Sequence, residues 1–175
     1  MALDTKINVA MGKISAVTPN NGKNKVIIVG KAGCGKNYVC EIFKQAGVLM
    51  ANSMTTRPKR SYDESPEYTH LNRDVFEHLI KTNKFLQYTE FNGHYYGTLK
   101  SEVKNSTLFI MTPSGISQLN KKFRSECLVI YVMSQSDVIR LQNRGGSTHE
   151  NQKRMESDEL EFKDFKDYDM ILINQ

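Results

Sequence analysis

The residues of this chain that could do chemistry fall into two groups. The first is Gly30-Lys31-Ala32-Gly33-Cys34-Gly35-Lys36-Asn37, a glycine-rich turn closed by a lysine. Glycines let a backbone curl until successive N–H groups converge on phosphate oxygens, and the lysine adds a mobile positive charge. The second group runs from Ser53 to Thr98 and gathers Ser53, Arg57, Arg60, Tyr68, Gln87, Tyr96 and Thr98. Forked guanidiniums match phosphate oxygens, and phenolic hydroxyls add hydrogen bonds without further charge. Both groups suit phosphate, and the chemistry they imply is movement of a phosphoryl group between two nucleotides.

Elements must hold these groups in place. Lys25–Val29 is a short apolar, β-branched run of the kind that forms a buried parallel strand. It feeds straight into the glycine turn, and Asn37–Ala46 reads as a helix with Val39, Ile42 and Phe43 on one face. Strand, turn, lysine and helix in that order give the motif its weight, because the helix start also attracts anions. A second helix is predicted over Asp74–Thr82, carrying Val75, Phe76, Leu79 and Ile80 at helical spacing. Phe85–Phe91 and His94–Gly97 read as strands joined at Asn92-Gly93, a hairpin turn signal.

Beyond the hairpin come a strand at Ser106–Met111, a helix from Pro113, a strand at Cys127–Met133 and a helix at Asp137–Gln142. A loop at Arg144–Ser147, a charged helix at Glu150–Phe162 and a strand at Met170–Ile173 complete the order. Strands alternating with helices around one turn predict an α/β fold with a parallel sheet, interrupted at 51–98 by a small antiparallel piece. Residues 1–24, polar and turn-rich around Pro19-Asn20-Asn21-Gly22, read as an arm before a domain over 25–175.

Composition narrows the class. A chain of 175 residues is enough for one domain with a sizeable core. No apolar stretch reaches the roughly 20 residues that span a bilayer, and the first residues lack the apolar centre of a signal peptide. Cys34, Cys40 and Cys127 have no metal-ligand spacing, which predicts reduced thiols and a cytoplasmic setting. His70, His78, His94 and His149 show no ligand spacing either. A net charge of +5 fits an anionic partner, but nucleotides satisfy it as well as nucleic acid, and a nucleic-acid binder rests on charge alone.

Joined to the glycine turn, Ser53…Thr55-Thr56-Arg57-x-x-Arg60…Tyr68…Tyr95-Tyr96-Gly97-Thr98 resembles the guanylate kinase family, over about Val26 to Asn174. The resemblance implies a three-layer P-loop kinase fold. Its parts are a parallel core sheet, a small mixed α+β insertion at about 51–98 that binds a nucleoside monophosphate, and an arginine lid at about 143–153. It also implies ATP and Mg²⁺, with small-molecule nucleotides rather than membrane or nucleic acid as partners; oligomeric state stays open. By the family pattern, Gly30, Gly33, Cys34, Gly35, Lys36 and Asn37 would hold the donor phosphates, with Arg140 and Asn174 also facing the donor. Ser53, Arg57, Arg60, Tyr68 and Tyr96 would hold the acceptor phosphate. Lys36, Arg57, Arg144 and Arg154 would carry the catalysis.

The chain departs from that pattern at informative places. Asn37 stands where the motif has the Ser or Thr that ligates Mg²⁺; an amide oxygen can still bind the ion directly or through water. Tyr38 replaces a small residue. Gln87 and Thr112 stand where the family reads guanine with a glutamate and an aspartate, and Ile110 replaces a further aspartate. Thr98 remains as a hydroxyl contact. Without those carboxylates the guanine N–H edge loses its strongest acceptors. Gln87 offers both a donor and an acceptor, so it suits adenine, thymine, uracil or a modified pyrimidine. Weaker guanine binding through Thr98, Gln87 and backbone groups is the other outcome. The expectation is a nucleoside monophosphate kinase with altered or broadened base specificity. The alternative is a guanylate-kinase-like binding module without catalysis. Such modules tend to lose the phosphate loop, whereas this chain keeps the loop and changes the base readers.

Overall fold

The computed structural model describes residues 23–59, 68–134 and 148–174. In chain order these hold β1 (Lys25–Val29), α1 (Lys36–Gln45), β2 (Ser53–Thr55), β3 (Tyr68–His70) and α2 (Arg73–Lys81). Next come β4 (Phe85–Phe91), β5 (His94–Leu99), α3 (Glu102–Asn105), β6 (Leu108–Ile110) and α4 (Pro113–Ser117). The remainder is α5 (Lys121–Ser125), β7 (Cys127–Ser134), α6 (Thr148–Phe162) and β8 (Met170–Asn174).

The core sheet has the order β6-β1-β7-β8 and every neighbouring pair is parallel. Parallel strands need helical crossovers, which cover both faces, so β1 is apolar on both sides. Val26 and Ile28 pack with Val39, Cys40 and Phe43 of α1. Ile27 and Val29 face the other way, towards Ile116 of α4, Phe123 of α5 and Phe162 of α6. Helices, sheet and helices make the three layers the sequence predicts.

The second sheet has the order β3-β2-β5-β4. β2 pairs parallel with β3, while β2–β5 and β4–β5 are antiparallel, so this piece is mixed rather than purely antiparallel. Alternation along β5 turns Tyr95, Gly97 and Leu99 to one face and Tyr96 and Thr98 to the other. The first face packs on α2, where Phe76 is fully buried and stacks on Phe85 at 4.3 Å and on Tyr95 at 5.1 Å. The second face is polar.

Several expectations need correction. On α2, Val75 is 44% exposed, and only Phe76, Leu79 and Ile80 join the core. On α1, Cys40 is buried beside Val39 and Phe43, while Ile42 sits at the margin. β6 is shorter than predicted: Ser106 N–H still bonds the Glu102 carbonyl at 3.0 Å, ending α3, and the ladder with β1 opens at Leu108. β2, β3, α3 and α5 are not marked by sequence periodicity; they are three to five residues long. The predicted helix at 137–142, the loop at 144–147 and residues 1–22 lie outside the described residues.

Candidate active site

β1 delivers the chain to the carboxyl end of the parallel sheet, where open α/β folds bind ligands. A Cβ on Gly30 would lie 2.4 Å from the Val132 carbonyl oxygen, so only glycine passes β7 there. Gly33 and Gly35 have φ of 84° and 91°, a left-handed backbone that lets the turn curl back on itself. Cys34, between them, is fully buried in the core. Behind the turn, Asn174 at the end of β8 donates from Nδ2 to the Cys34 carbonyl at 3.0 Å and is 6% exposed. This side chain, expected beside the donor, thus fastens the turn to the sheet. Lys36 folds its ammonium over the turn, donating to the carbonyls of Gly30 at 2.6 Å and Lys31 at 2.7 Å. Asn37 is exposed at the start of α1.

The polar face of the second sheet organises the other group. Strand register places Tyr68, Ser53, Thr98 and Gln87 in one row across β3, β2, β5 and β4. Tyr96 lies two residues from Thr98 on the same face, its ring edge-on to Tyr68 at 6.2 Å. The turn after β2 is held by Thr55, whose hydroxyl donates to the Tyr95 carbonyl at 2.9 Å and accepts from Arg57 N–H at 3.1 Å. His70 Nδ1 meets the Arg57 carbonyl at 2.6 Å. The Arg57 guanidinium itself lies back on the Pro58 carbonyl at 3.1 Å. Arg60 lies outside the described residues.

Two small polar networks form one wall of the cleft. Gln87 is 5% exposed and donates from Nε2 to the Thr98 hydroxyl at 3.1 Å. A Cβ on Gly115 would lie 2.6 Å from Gln87 Oε1, so the glutamine reaches α4. Thr112 caps α4, accepting from Gly115 N–H at 3.1 Å, and its hydroxyl meets the Ser114 hydroxyl at 2.9 Å. Ser114 in turn donates from its hydroxyl and N–H to Glu161 Oε1 at 2.7 and 3.1 Å.

Glu161 belongs to α6, and so do the cleft residues Arg154 and Asp158. Arg154, Asp158 and Glu161 recur at helical spacing and lie on one face. The Arg154 guanidinium sits over the Phe91 ring at 5.7 Å. Asp158 Oδ2 accepts from Ala32 N–H, in the glycine turn, at 2.5 Å. Burial pushes the Asp158 carboxyl above the usual carboxylate range, against the opposing pull of that N–H and of Lys36 and Arg154. A looser ion pair joins Lys31 to Glu159 at 3.6 Å.

These pieces enclose a cleft of about 520 Å³, which Lys36, Ser53, Tyr96, Gln87, Thr112 and Arg154 all line. Members of both sequence groups therefore meet in one space, although Arg57, Thr98 and Asn37 do not line it. Arg140 and Arg144 lie outside the described residues. Sequence reasoning missed Asp158, Ser114 and Glu161. The signal for two of them was available, since Asp158 and Glu161 share the helical face of Arg154, but nothing in the pattern aimed that face. Among the described residues no three His, Cys, Asp or Glu side chains cluster as a metal site. A divalent ion here would be held by the phosphates of a bound nucleotide with help from the Asn37 amide oxygen, a donor set suited to Mg²⁺.

A glycine turn at the carboxyl end of a parallel sheet, facing an insertion across one cleft, defines the P-loop α/β class. Comparison with known proteins narrows it. The guanylate kinase family model matches residues 22–175. The guanylate kinase of Fusobacterium nucleatum is 29% identical over 159 residues, covering 85% of this chain and 86% of the relative. That of Thermus thermophilus is 30% identical over 160 residues, covering 85% and 72%. The crystal structure of guanylate kinase from Anaplasma phagocytophilum shares the fold with a TM-score of 0.65 at 17% identity, covering 88% of this chain and 78% of that one. The chain belongs to the guanylate kinase family. Among the described residues, no helix is long and apolar enough to cross a membrane.

Proposed function

We propose that this chain is a nucleoside monophosphate kinase that transfers the γ-phosphoryl group of ATP to a (deoxy)nucleoside monophosphate, with base specificity altered or broadened from guanine. The observation that carries the reading is the cleft joining the glycine turn to the polar row of Ser53, Tyr68, Tyr96 and Gln87.

In this reading the turn's N–H groups and Lys36 hold the donor phosphates, and Lys36 leaves the Gly30 and Lys31 carbonyls to follow the transferring group. Ser53, Tyr68, Tyr96, Arg57 and Arg60 hold the acceptor phosphate so that one of its oxygens attacks the γ-phosphorus in line. A new P–O bond forms, the bond to the β,γ-bridging oxygen breaks, and its electron pair leaves with ADP. Arg154, with Arg140 and Arg144, offsets the charge that builds on the transferring group. Bound Mg²⁺ would neutralise donor phosphate charge. Closure of the insertion and of the lid would keep water from the γ-phosphate.

Support for altered base reading comes from the wall. Gln87 and Thr112 line the cleft, with Thr98 buried behind Gln87, and neither reader position carries a carboxylate. The buried cysteines agree with a cytoplasmic setting. The second reading, a binding module without catalysis, draws on Asn37 in place of a hydroxyl residue. Incubation with ATP-Mg²⁺ and a pool of monophosphates separates the two. ADP formation that requires an acceptor, with a diphosphate product, is expected; monophosphate binding without ADP formation would favour the module.

A further inference from the structure

The Asp158–Ala32 contact is out of place in a site for phosphate. Ala32 is part of the turn whose N–H groups are the natural anion donors, and its N–H is already taken by a carboxylate from α6. Lys36 and Arg154, cations that line the same cleft, also bear electrostatically on that carboxylate. A carboxylate bonded to a loop amide and flanked by two cations reproduces the surroundings of a terminal phosphate. We propose that Asp158 is an internal occupant of the phosphate loop, which must leave the Ala32 amide before the donor's terminal phosphate can enter, and so sets the affinity of the donor site. This rests on the reading of the loop as the donor site.

The physical argument is one of competition and charge. An anion on the loop cannot share its N–H with a phosphate oxygen, and two unscreened negative groups in one partly buried cradle repel. The apparent affinity for ATP is then the intrinsic affinity multiplied by the fraction of chains with the cradle open. Burial raises the cost of the Asp158 charge, which keeps the closed state shallow enough for a nucleotide to displace. Departure of Asp158 also releases α6 from its contact with the turn at Ala32. Because Arg154 lies one turn earlier on the same helix, nucleotide entry and the approach of Arg154 become coupled.

The test is equilibrium binding of ATP in EDTA and in Mg²⁺, by calorimetry, for the full chain and three variants. Asp158→Ala removes both the charge and the competing acceptor and is expected to tighten ATP binding about 10-fold in EDTA. Asp158→Asn keeps an acceptor without charge and should fall between Ala and wild type. Glu159→Gln, whose carboxylate is 77% exposed, should leave affinity within about twofold. Unchanged or weaker binding in EDTA for both Asp158 variants would overturn the proposal. Weaker binding only in Mg²⁺ would overturn it as well, making Asp158 a metal ligand. Absence of ATP binding in wild type and in every variant would instead overturn the donor-site reading, and this inference with it.

Discussion

The glycine turn and the polar wall share a cleft but are built from different materials. The loop is made of backbone: Gly30 passes β7, Gly33 and Gly35 curl the chain, and the buried Cys34 and Asn174 lock it to the sheet. The wall is made of side chains in two networks, Gln87 with Thr98 and Thr112 with Ser114 and Glu161. A backbone site is fixed by the fold and tolerates few changes. A side-chain wall can be rewritten at a few positions while the fold stays as it is, and the proposal places such changes at Gln87 and Thr112.

The comparison can be broken first at Lys36. Loss of the lysine that closes the loop should lower kcat by roughly 10²-fold or more in Lys36→Met. The monophosphate Kd should stay near wild type, because Lys36 bonds to the Gly30 and Lys31 carbonyls of its own turn. Steady-state kinetics with direct acceptor titration checks both halves. Turnover within a few-fold of wild type would remove the loop from the catalytic centre.

Arg57→Ala probes the other side with a smaller effect. The side chain now rests on Pro58 and must swing to meet an acceptor phosphate. Its loss should raise the monophosphate KM about 10-fold and lower kcat as well, since a charge-assisted contact and in-line alignment go together. An unchanged KM would make Arg57 a surface residue.

Asn174→Ala should act on stability before chemistry. It strips the buried Cys34 carbonyl of a donor, a loss on the order of 1–3 kcal/mol. Thermal unfolding should fall by several degrees, and ATP affinity should drop with it while acceptor affinity stays constant. An unchanged Tm would mean the loop is held by its glycines and core packing alone.

How far the sequence reveals this molecule follows the same division. β1, the glycine turn and α1 are contiguous, and their pattern states the structure directly. The hairpin at Asn92-Gly93 is equally plain. β2 and β3 are not, because a three-residue strand has no period and takes its identity from distant partners. Asp158 is hidden for the same reason: its partner Ala32 is 126 positions away. The fold of the insertion as a mixed sheet needs the parallel pairing of Ser53 with Tyr68, which no local signal encodes.

The central proposal is that Gln87 and Thr112 move this chain off strict guanine recognition. The most direct test is a panel of GMP, dGMP, dAMP, dTMP, dUMP and dCMP with the natural chain and with a Gln87→Glu, Thr112→Asp double variant. A glutamate matches the shape of Gln87 and keeps the Thr98 hydroxyl as a partner, and an aspartate in place of Thr112 is itself a favoured helix cap for α4, so the fold should hold. The natural chain should phosphorylate at least one base other than guanine. The double variant should shift kcat/KM towards guanine by about one to two powers of ten per contact, the scale of a charge-assisted hydrogen bond. Efficient use of GMP or dGMP alone by the natural chain, with no shift in the variant, would contradict the account.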